Sequence, residues 1–339
     1  MKAIQYSAAK QFAIVDLPKP VPGPLQVLIR VKACGICKTD LTIHNGSFLA
    51  KFPLTNGHEF SGVIESVGSA VTEWKPGDRV TADNTELCGY CDACRNDKPL
   101  YCENFNSHGC NMPGGFAEYI VINHEKVFAI SDRLSFEEAT FTEPTACAVH
   151  GVDRIHPTFG DSILMFGAGP TGAILAQLLR HGGAGRMVIA DPHEDKLAIL
   201  RKYGFTDTVL IDKNDPSRHE KAIKALMPRG FDIIIDATGA PSITQATFQY
   251  AHMGSKIVVY GVCPADARIE VSPYDVFSQE YTILGSFAQT HCFGRALTYL
   301  ESGLVQVKDL ISHELPLEEY GKGLDLIMAK KAKKVIIHP

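Results

Sequence analysis

At 339 residues the chain is long enough for two domains of ordinary size. Its 45% hydrophobic content and formal charge of −5 describe a globular protein with no basic stripe for nucleic acid. No apolar run approaches a membrane span, and the N-terminal MKAIQYSAAK lacks a signal-peptide core, so a cytoplasmic, reducing location is expected.

Residues 1 to about 26 carry short apolar-alternating runs broken by Pro18, Pro20, Pro22 and Pro24. VLIRVKACG (27–35) reads as a strand that leads into Cys37-Lys38-Thr39-Asp40. GHEFSGVIESVG (57–68) and GDRV (77–80) follow, so this part reads as β-rich and barrel-like rather than a βαβ repeat. Cys88, Cys91, Cys94 and Cys102 form C-x2-C-x2-C-x7-C in one polar, turn-rich loop. Four thiolates so close in sequence suit a closed tetrahedral zinc site that orders a loop without a core of its own. Such a metal has no open position and stands outside the chemistry.

FAEYIVIN (116–123) returns to strand alternation, and residues 135 to about 155 read as helix with a break near Glu143-Pro144. From Ser162 the pattern changes to βα alternation. SILMFGAGPTGAILAQLLRHGGAGRMVIAD is a strand, a glycine turn, a helix and a second strand ending in an acid. Gly167, Gly169 and Gly172 have G-x-G-x-x-G spacing, with Pro170 and Thr171 inside the turn. That spacing allows a tight reversal, close approach of a pyrophosphate, and a helix seated against the sheet with its N-terminus toward the phosphates. Asp191 arrives where a carboxylate accepts from an adenosine ribose, and it disfavours a 2′-phosphate. NAD is therefore expected over NADP. ILMF, MVIA, TVLI, DIIID, KIVVYG and YTILGS supply six strands, a complete doubly wound parallel sheet. Helices at about 291–302 and 318–330 precede a terminal strand, KVIIHP, which falls outside the six and is expected to return to the first domain.

A second group of metal-binding residue types is scattered. Cys37 follows a strand, His58 stands in GHE, and either Glu59 or Glu143 could add a carboxylate. Three such ligands leave a position for substrate, as catalytic zinc requires. Singly, each also reads as a buried thiol, a loop histidine or a helix-terminal acid. Cys110, Cys147, Cys263, Cys292, His150, His156 and His291 read as structural.

Taken together, CGICKTD (34–40), NGHEFSGVIESVG (56–68), KPGDRV (75–80), the four-cysteine lobe, EPTACAVHG (143–151) and GAGPTG (167–172) resemble the zinc-dependent medium-chain dehydrogenases, in the polyol (sorbitol-like) branch. The resemblance implies an α/β chain with a GroES-like β-rich catalytic domain (1–155), a Rossmann domain (156–287), a return to the catalytic domain (288–339), and a cleft between the two. It implies one catalytic and one structural zinc. Cys37, His58 and Glu59 are the implied catalytic ligands, with Glu143 a further ligand or a carboxylate acting through water. Thr39 is the implied hydroxyl relay. Relatives place an outer histidine relay where this chain has Thr42, with His44 the nearest histidine. Lys196, Thr238, Val262 and Phe287 match further cofactor contacts. Ala288 stands where sorbitol dehydrogenases carry arginine, and Arg295 lies a turn or two on, so a pentitol, a different hexitol or a less polar secondary alcohol fits as well.

The implied reaction is hydride transfer between a secondary alcohol of a small polyol and NAD, giving a ketose. The alternatives are a threonine or 2,3-butanediol dehydrogenase and, more remotely, a non-catalytic NAD-binding protein. A homodimer or homotetramer is expected, with neither nucleic-acid nor membrane partners.

Overall fold

The structure is a computed structural model that describes residues 1–339. Two compact units divide the chain. The first comprises residues 1–146, 290–303 and 307–339, and the second residues 147–289 and 304–306.

In the first unit, Gln26–Ile36 is the central strand. It pairs antiparallel with Glu59–Val67, Tyr119–Asn123 and the terminal Lys334–His338. Glu59–Val67 continues into Arg79–Ala82 and then Val127–Ala129, while Ile311–Pro316 lies parallel to the terminal strand. Most of QVLIRVKACGI is buried, with only Gln26 and Arg30 exposed. That is why it reads as a nearly continuous apolar run rather than a strict alternation. Val27, Ile29, Phe60, Phe116, Tyr320, Val335 and Ile337 meet in one core, so the tail and the first strands share it.

The second unit is built on a six-stranded parallel sheet. Its spatial order is Asp207–Leu210, Met187–Asp191, Ile163–Phe166, Phe231–Asp236, Ala251–Val259, Thr282–Gly285. All six expected strands are present. The order turns back at Ile163–Phe166, which places a ligand crevice beyond the carboxyl end of that strand. The fold class is therefore the α/β pairing of a β-rich domain with a Rossmann sheet.

The helices differ in detail. The break expected near Glu143-Pro144 falls earlier, between Phe136–Ala139 and Thr142–Ile155. Pro144 sits in the first turn of the second helix, where no intrahelical N–H is needed. Only Phe293–Glu301 and Tyr320–Met328 form in the tail, each shorter than expected.

The glycine turn shows the tightest packing. A Cβ on Gly172 would stand 2.2 Å from the Gly167 carbonyl oxygen, a backbone atom that cannot step aside. Gly172→Ala is expected to push Pro170–His181 off the sheet, lowering stability by about 1–3 kcal/mol and weakening dinucleotide binding. Thermal denaturation and calorimetric NAD titration measure the two effects.

Candidate active site

The strand Gln26–Ile36 hands the chain to the helix Lys38–His44 through Cys37. Asp40, in the first helical turn, accepts the Cys37 N–H at Oδ2 (2.8 Å), which fixes the backbone that carries the thiol. The loop Asn56-Gly57-His58 enters the neighbouring strand. Gly57 has φ +98°, and a Cβ there would stand 2.8 Å from both Cys34 Sγ and Phe116, so only glycine fits. The result brings Cys37, His58 and Glu59 together, with one ligand atom of each within 4.8 Å of the others.

This pocket is charged, and two of its three side chains are buried. His58 and Glu59 are only 3% and 1% exposed. Lys334 of the terminal strand, also buried, donates to Glu59 Oε2 and lies over the Phe141 ring. Burial works to lower the Lys334 pKa, but Glu59, Cys37 and Glu143 outweigh it and hold the ammonium above its ordinary value. Burial likewise works against a charge on His58, yet Cys110, Asp40 and Cys37 together keep its proton affinity well above the usual range. His58 Nδ1 and Glu59 Oε1 are buried without a hydrogen-bond partner. A buried S/N/O triad that attracts positive charge and leaves acceptor atoms unsatisfied fits a divalent zinc ion.

Glu143 lies outside the triad. It is half-buried in the first turn of Thr142–Ile155, and its charge reaches Lys334. Thr39 Oγ1 is 3.7 Å from Cys37 Sγ. Thr42 Oγ1 donates to the Thr39 carbonyl, and His44 Nδ1 is taken by the Tyr6 hydroxyl (3.0 Å).

Cys88, Cys91, Cys94 and Cys102 converge as a second group, all four sulfurs within 4.8 Å. Cys102 Sγ is 3.5 Å from Cys88 Sγ and 4.0 Å from Cys91 Sγ. Those separations exclude disulfides and bracket the roughly 3.8 Å edge of a tetrahedron with Zn–S of about 2.3 Å. Burial opposes a thiolate at Cys88, but backbone N–H groups of Tyr90 and Cys91 aimed at its sulfur bring the pKa down to about 6. Burial, followed by the crowding thiols, pushes Cys94 up to about 12. A thiolate that is already stabilised, beside a Cys94 thiol that resists ionisation, is a donor set that a cation would complete.

In the second unit, Gly169 caps the helix Pro170–His181, and nothing lies within 4 Å of where its Cβ would be. That opening over a helix N-terminus, with Pro170 and Thr171 in its first turn, fits a pyrophosphate. Asp191 Oδ2 accepts the Ala168 N–H (2.8 Å), tying the acid to the glycine turn. Its Oδ1 accepts the His193 N–H and lies 2.8 Å from the His193 ring, with Lys196 Nζ 3.4 Å from that ring. A cavity of about 400 Å³ opens beside this acid, lined by Pro192, Leu210, Ile211, Asp212, Lys213 and Arg218. Thr238 Oγ1 donates to Asp236 Oδ1 (2.6 Å). Val262 and Phe287 are exposed beyond the carboxyl ends of their strands.

Residues 23–132 match the alcohol dehydrogenase GroES-like domain, and residues 170–302 match the zinc-binding dehydrogenase family. D-arabinitol dehydrogenase 1 of Uromyces fabae is 42% identical across 100% of this chain and 97% of its own length. The chain belongs to the zinc-dependent medium-chain alcohol dehydrogenases. D-altritol 5-dehydrogenase of Agrobacterium fabrum is 32% identical over 94% of each chain. A zinc-binding dehydrogenase of Sinorhizobium meliloti, solved with NADP, superposes with a TM-score of 0.92 at 31% identity, covering 100% of this chain and 99% of that one. This zinc dehydrogenase is therefore an oxidoreductase that uses a nicotinamide cofactor on a small molecule. No helix is long and apolar enough to cross a membrane.

Lys334 has no counterpart among the residues that the motifs single out, and Asp40, Asn56 and Cys110 enter only as neighbours of those residues. Lys334→Met would leave Glu59 a buried, unpaired carboxylate, and is expected to lower the unfolding free energy by about 3–5 kcal/mol. Adding Glu59→Gln should recover most of that loss, with urea denaturation measuring both. The ammonium is held above its ordinary value of 10.5. The contribution of the pair is therefore present below that pH and is lost as the pH climbs through the raised value.

Proposed function

We propose that this dehydrogenase oxidises a secondary hydroxyl of a sugar alcohol, a pentitol or hexitol, to a ketose with NAD. The convergence of Cys37, His58 and Glu59 in one buried pocket carries this reading. Bound there, zinc would lower the pKa of the substrate hydroxyl so that the alkoxide could release hydride to nicotinamide. Cys37 and His58 hold the metal position, and Glu59 offers Oε1 toward it while Lys334 restrains Oε2. Glu143 adds negative charge from outside the triad. Thr39 Oγ1, beside Cys37 Sγ, accepts the hydroxyl proton and passes it outward. With Tyr6 against His44 Nδ1, the outer step of that route falls to His44 Nε2 or to water. The four-cysteine lobe holds a structural zinc.

The NAD preference rests on Asp191. Its carboxylate is oriented by Ala168 and His193 and faces a 2′-phosphate with like charge. Gly167, Gly169 and Gly172 receive the pyrophosphate, the cavity lined by Pro192 and Ile211 takes the adenine, and Lys196 lies at the ribose. Thr238, Val262 and Phe287 serve the nicotinamide half. The polyol preference rests on the arabinitol and altritol relatives. Thr282–Gly285 is an edge strand with Ile283 47% exposed, which supports assembly as a homodimer or homotetramer through that edge. The clustering of the four cysteines as a metal site rather than as disulfide pairs supports a cytoplasmic location.

The test is cofactor reduction across arabinitols, xylitol, ribitol, sorbitol, mannitol, threonine and 2,3-butanediol. Turnover is expected with one or two polyols and NAD, and turnover confined to threonine or butanediol would overturn the substrate. Cys37→Ser should abolish turnover while NAD binding persists, and should leave about one zinc per chain instead of about two. Wild-type rates from that variant would remove the metal reading. Asp191→Ala should weaken NAD about 10-fold to 100-fold through lost charge-assisted hydrogen bonds, and NADP far less. Equal losses by fluorescence titration would count against the ribose assignment.

A further inference from the structure

Behind the candidate metal pocket runs a row of polar side chains that the reaction itself does not use. Tyr6, Asp40, Asn56 and Tyr320 are each 0% exposed, so each hydrogen bond among them offsets a burial cost. Asn56 Nδ2 donates one hydrogen to Asp40 Oδ1 (2.9 Å) and the other to the Tyr320 hydroxyl (2.8 Å). Both amide hydrogens are then spent. The Tyr320 and Tyr6 hydroxyls lie 3.2 Å apart, and the Tyr6 hydroxyl lies 3.0 Å from His44 Nδ1. Asn56 Oδ1 is left without a partner, so its amide is held through Nδ2.

The row ends on the carboxylate that organises the pocket. Asp40 holds the Cys37 N–H with Oδ2, and its Oδ1 stands 3.8 Å from His58 Nδ1. Turning the Asp40 carboxyl would release the Cys37 backbone and move the charge facing His58 together. Asn56 prevents that turn, and the Tyr320 hydroxyl prevents Asn56 from turning. Tyr320 is itself locked by aromatic neighbours, Phe116 at 4.8 Å and Phe12 at 5.2 Å between ring centroids.

We infer that Asn56 and Tyr320 are positioning residues for this dehydrogenase: through Asp40 they fix Cys37 and His58 in the geometry that holds the catalytic metal. This rests on the zinc reading of the Cys37–His58–Glu59 pocket. A purely structural role would tie Tyr320→Phe to stability alone. Positioning ties it to metal retention at one of two sites in the same molecule.

The experiment follows zinc release to a chromogenic chelator from the zinc-loaded holoenzyme, alongside kcat, NAD affinity and thermal midpoint. Tyr320→Phe keeps the ring packing and removes one hydroxyl. Zinc release from the Cys37 site should be roughly 10-fold to 100-fold faster and kcat lower by a similar factor, the usual effect of losing an outer-shell partner. NAD affinity and release from the four-cysteine site should stay within twofold of wild type. Tyr6→Phe, which leaves the Tyr320–Asn56–Asp40 contacts standing, should retain zinc as wild type does. The inference is overturned if Tyr320→Phe releases catalytic zinc and turns over within twofold of wild type. It is also overturned if Tyr6→Phe speeds release equally, or if only the thermal midpoint moves. Cys37→Ser separates the two failures. If it drops one zinc while Tyr320→Phe behaves as wild type, positioning fails and the metal reading survives. If wild type itself holds one zinc that Cys37→Ser does not disturb, both fail.

Discussion

Glu59, at 1% exposure, is met by an ammonium from 275 residues further along the chain. A carboxylate buried so deeply is tolerable only when paired. The partner arrives only when Lys334–His338 lies antiparallel against Gln26–Ile36, with Ile336 opposite Gly35. Gly35 in turn stands opposite Glu59 in the next strand. Three adjacent strands therefore set the electrostatics of the pocket, and the core they share with Tyr320 and Phe116 holds the pairing in register.

The two cysteine-bearing sites obey opposite rules. Residues 88–102 gather four sulfurs within one excursion of the chain, with backbone N–H groups tuning individual thiols. The Cys37 pocket draws its groups from a helix cap, a loop preceding a strand, and a strand near the far end of the chain. The local site is a staple that makes its own structure. The dispersed one is made by the fold, and its unsatisfied acceptors at His58 and Glu59 mark where the fold leaves room for chemistry.

This difference decides what could be read in the sequence. The four cysteines and the glycine turn are short-range patterns whose meaning survives without tertiary context, and the structure brings together the residues they name. The six apolar runs from ILMF to YTILGS were equally legible, and two of them, Ile163–Phe166 and Met187–Asp191, are fully buried parallel strands that need no alternation to be recognised. Cys37, His58 and Glu59 needed the combined motifs, since no spacing links them. Lys334 could not be found at all. In KKAKKV its neighbours Lys330 and Lys331 are exposed, and only the pairing register decides which lysine turns inward. Tyr320 is hidden in the same way, in the exposed-looking LEEYGK. Pro144 misled by a few residues because proline marks a helix start as readily as a helix end.

The terminal strand also imposes an order on biosynthesis. The four-cysteine lobe is complete once residue 102 has left the ribosome, and it can capture metal while most of the chain is still unmade. The Cys37 pocket exists as a half-formed, uncompensated acid until Lys334 has been synthesised and threaded beside Gln26–Ile36. The four sulfurs of the lobe are thus all supplied by residue 102, whereas the ion pair of the Cys37 pocket waits for a strand more than 230 residues further on.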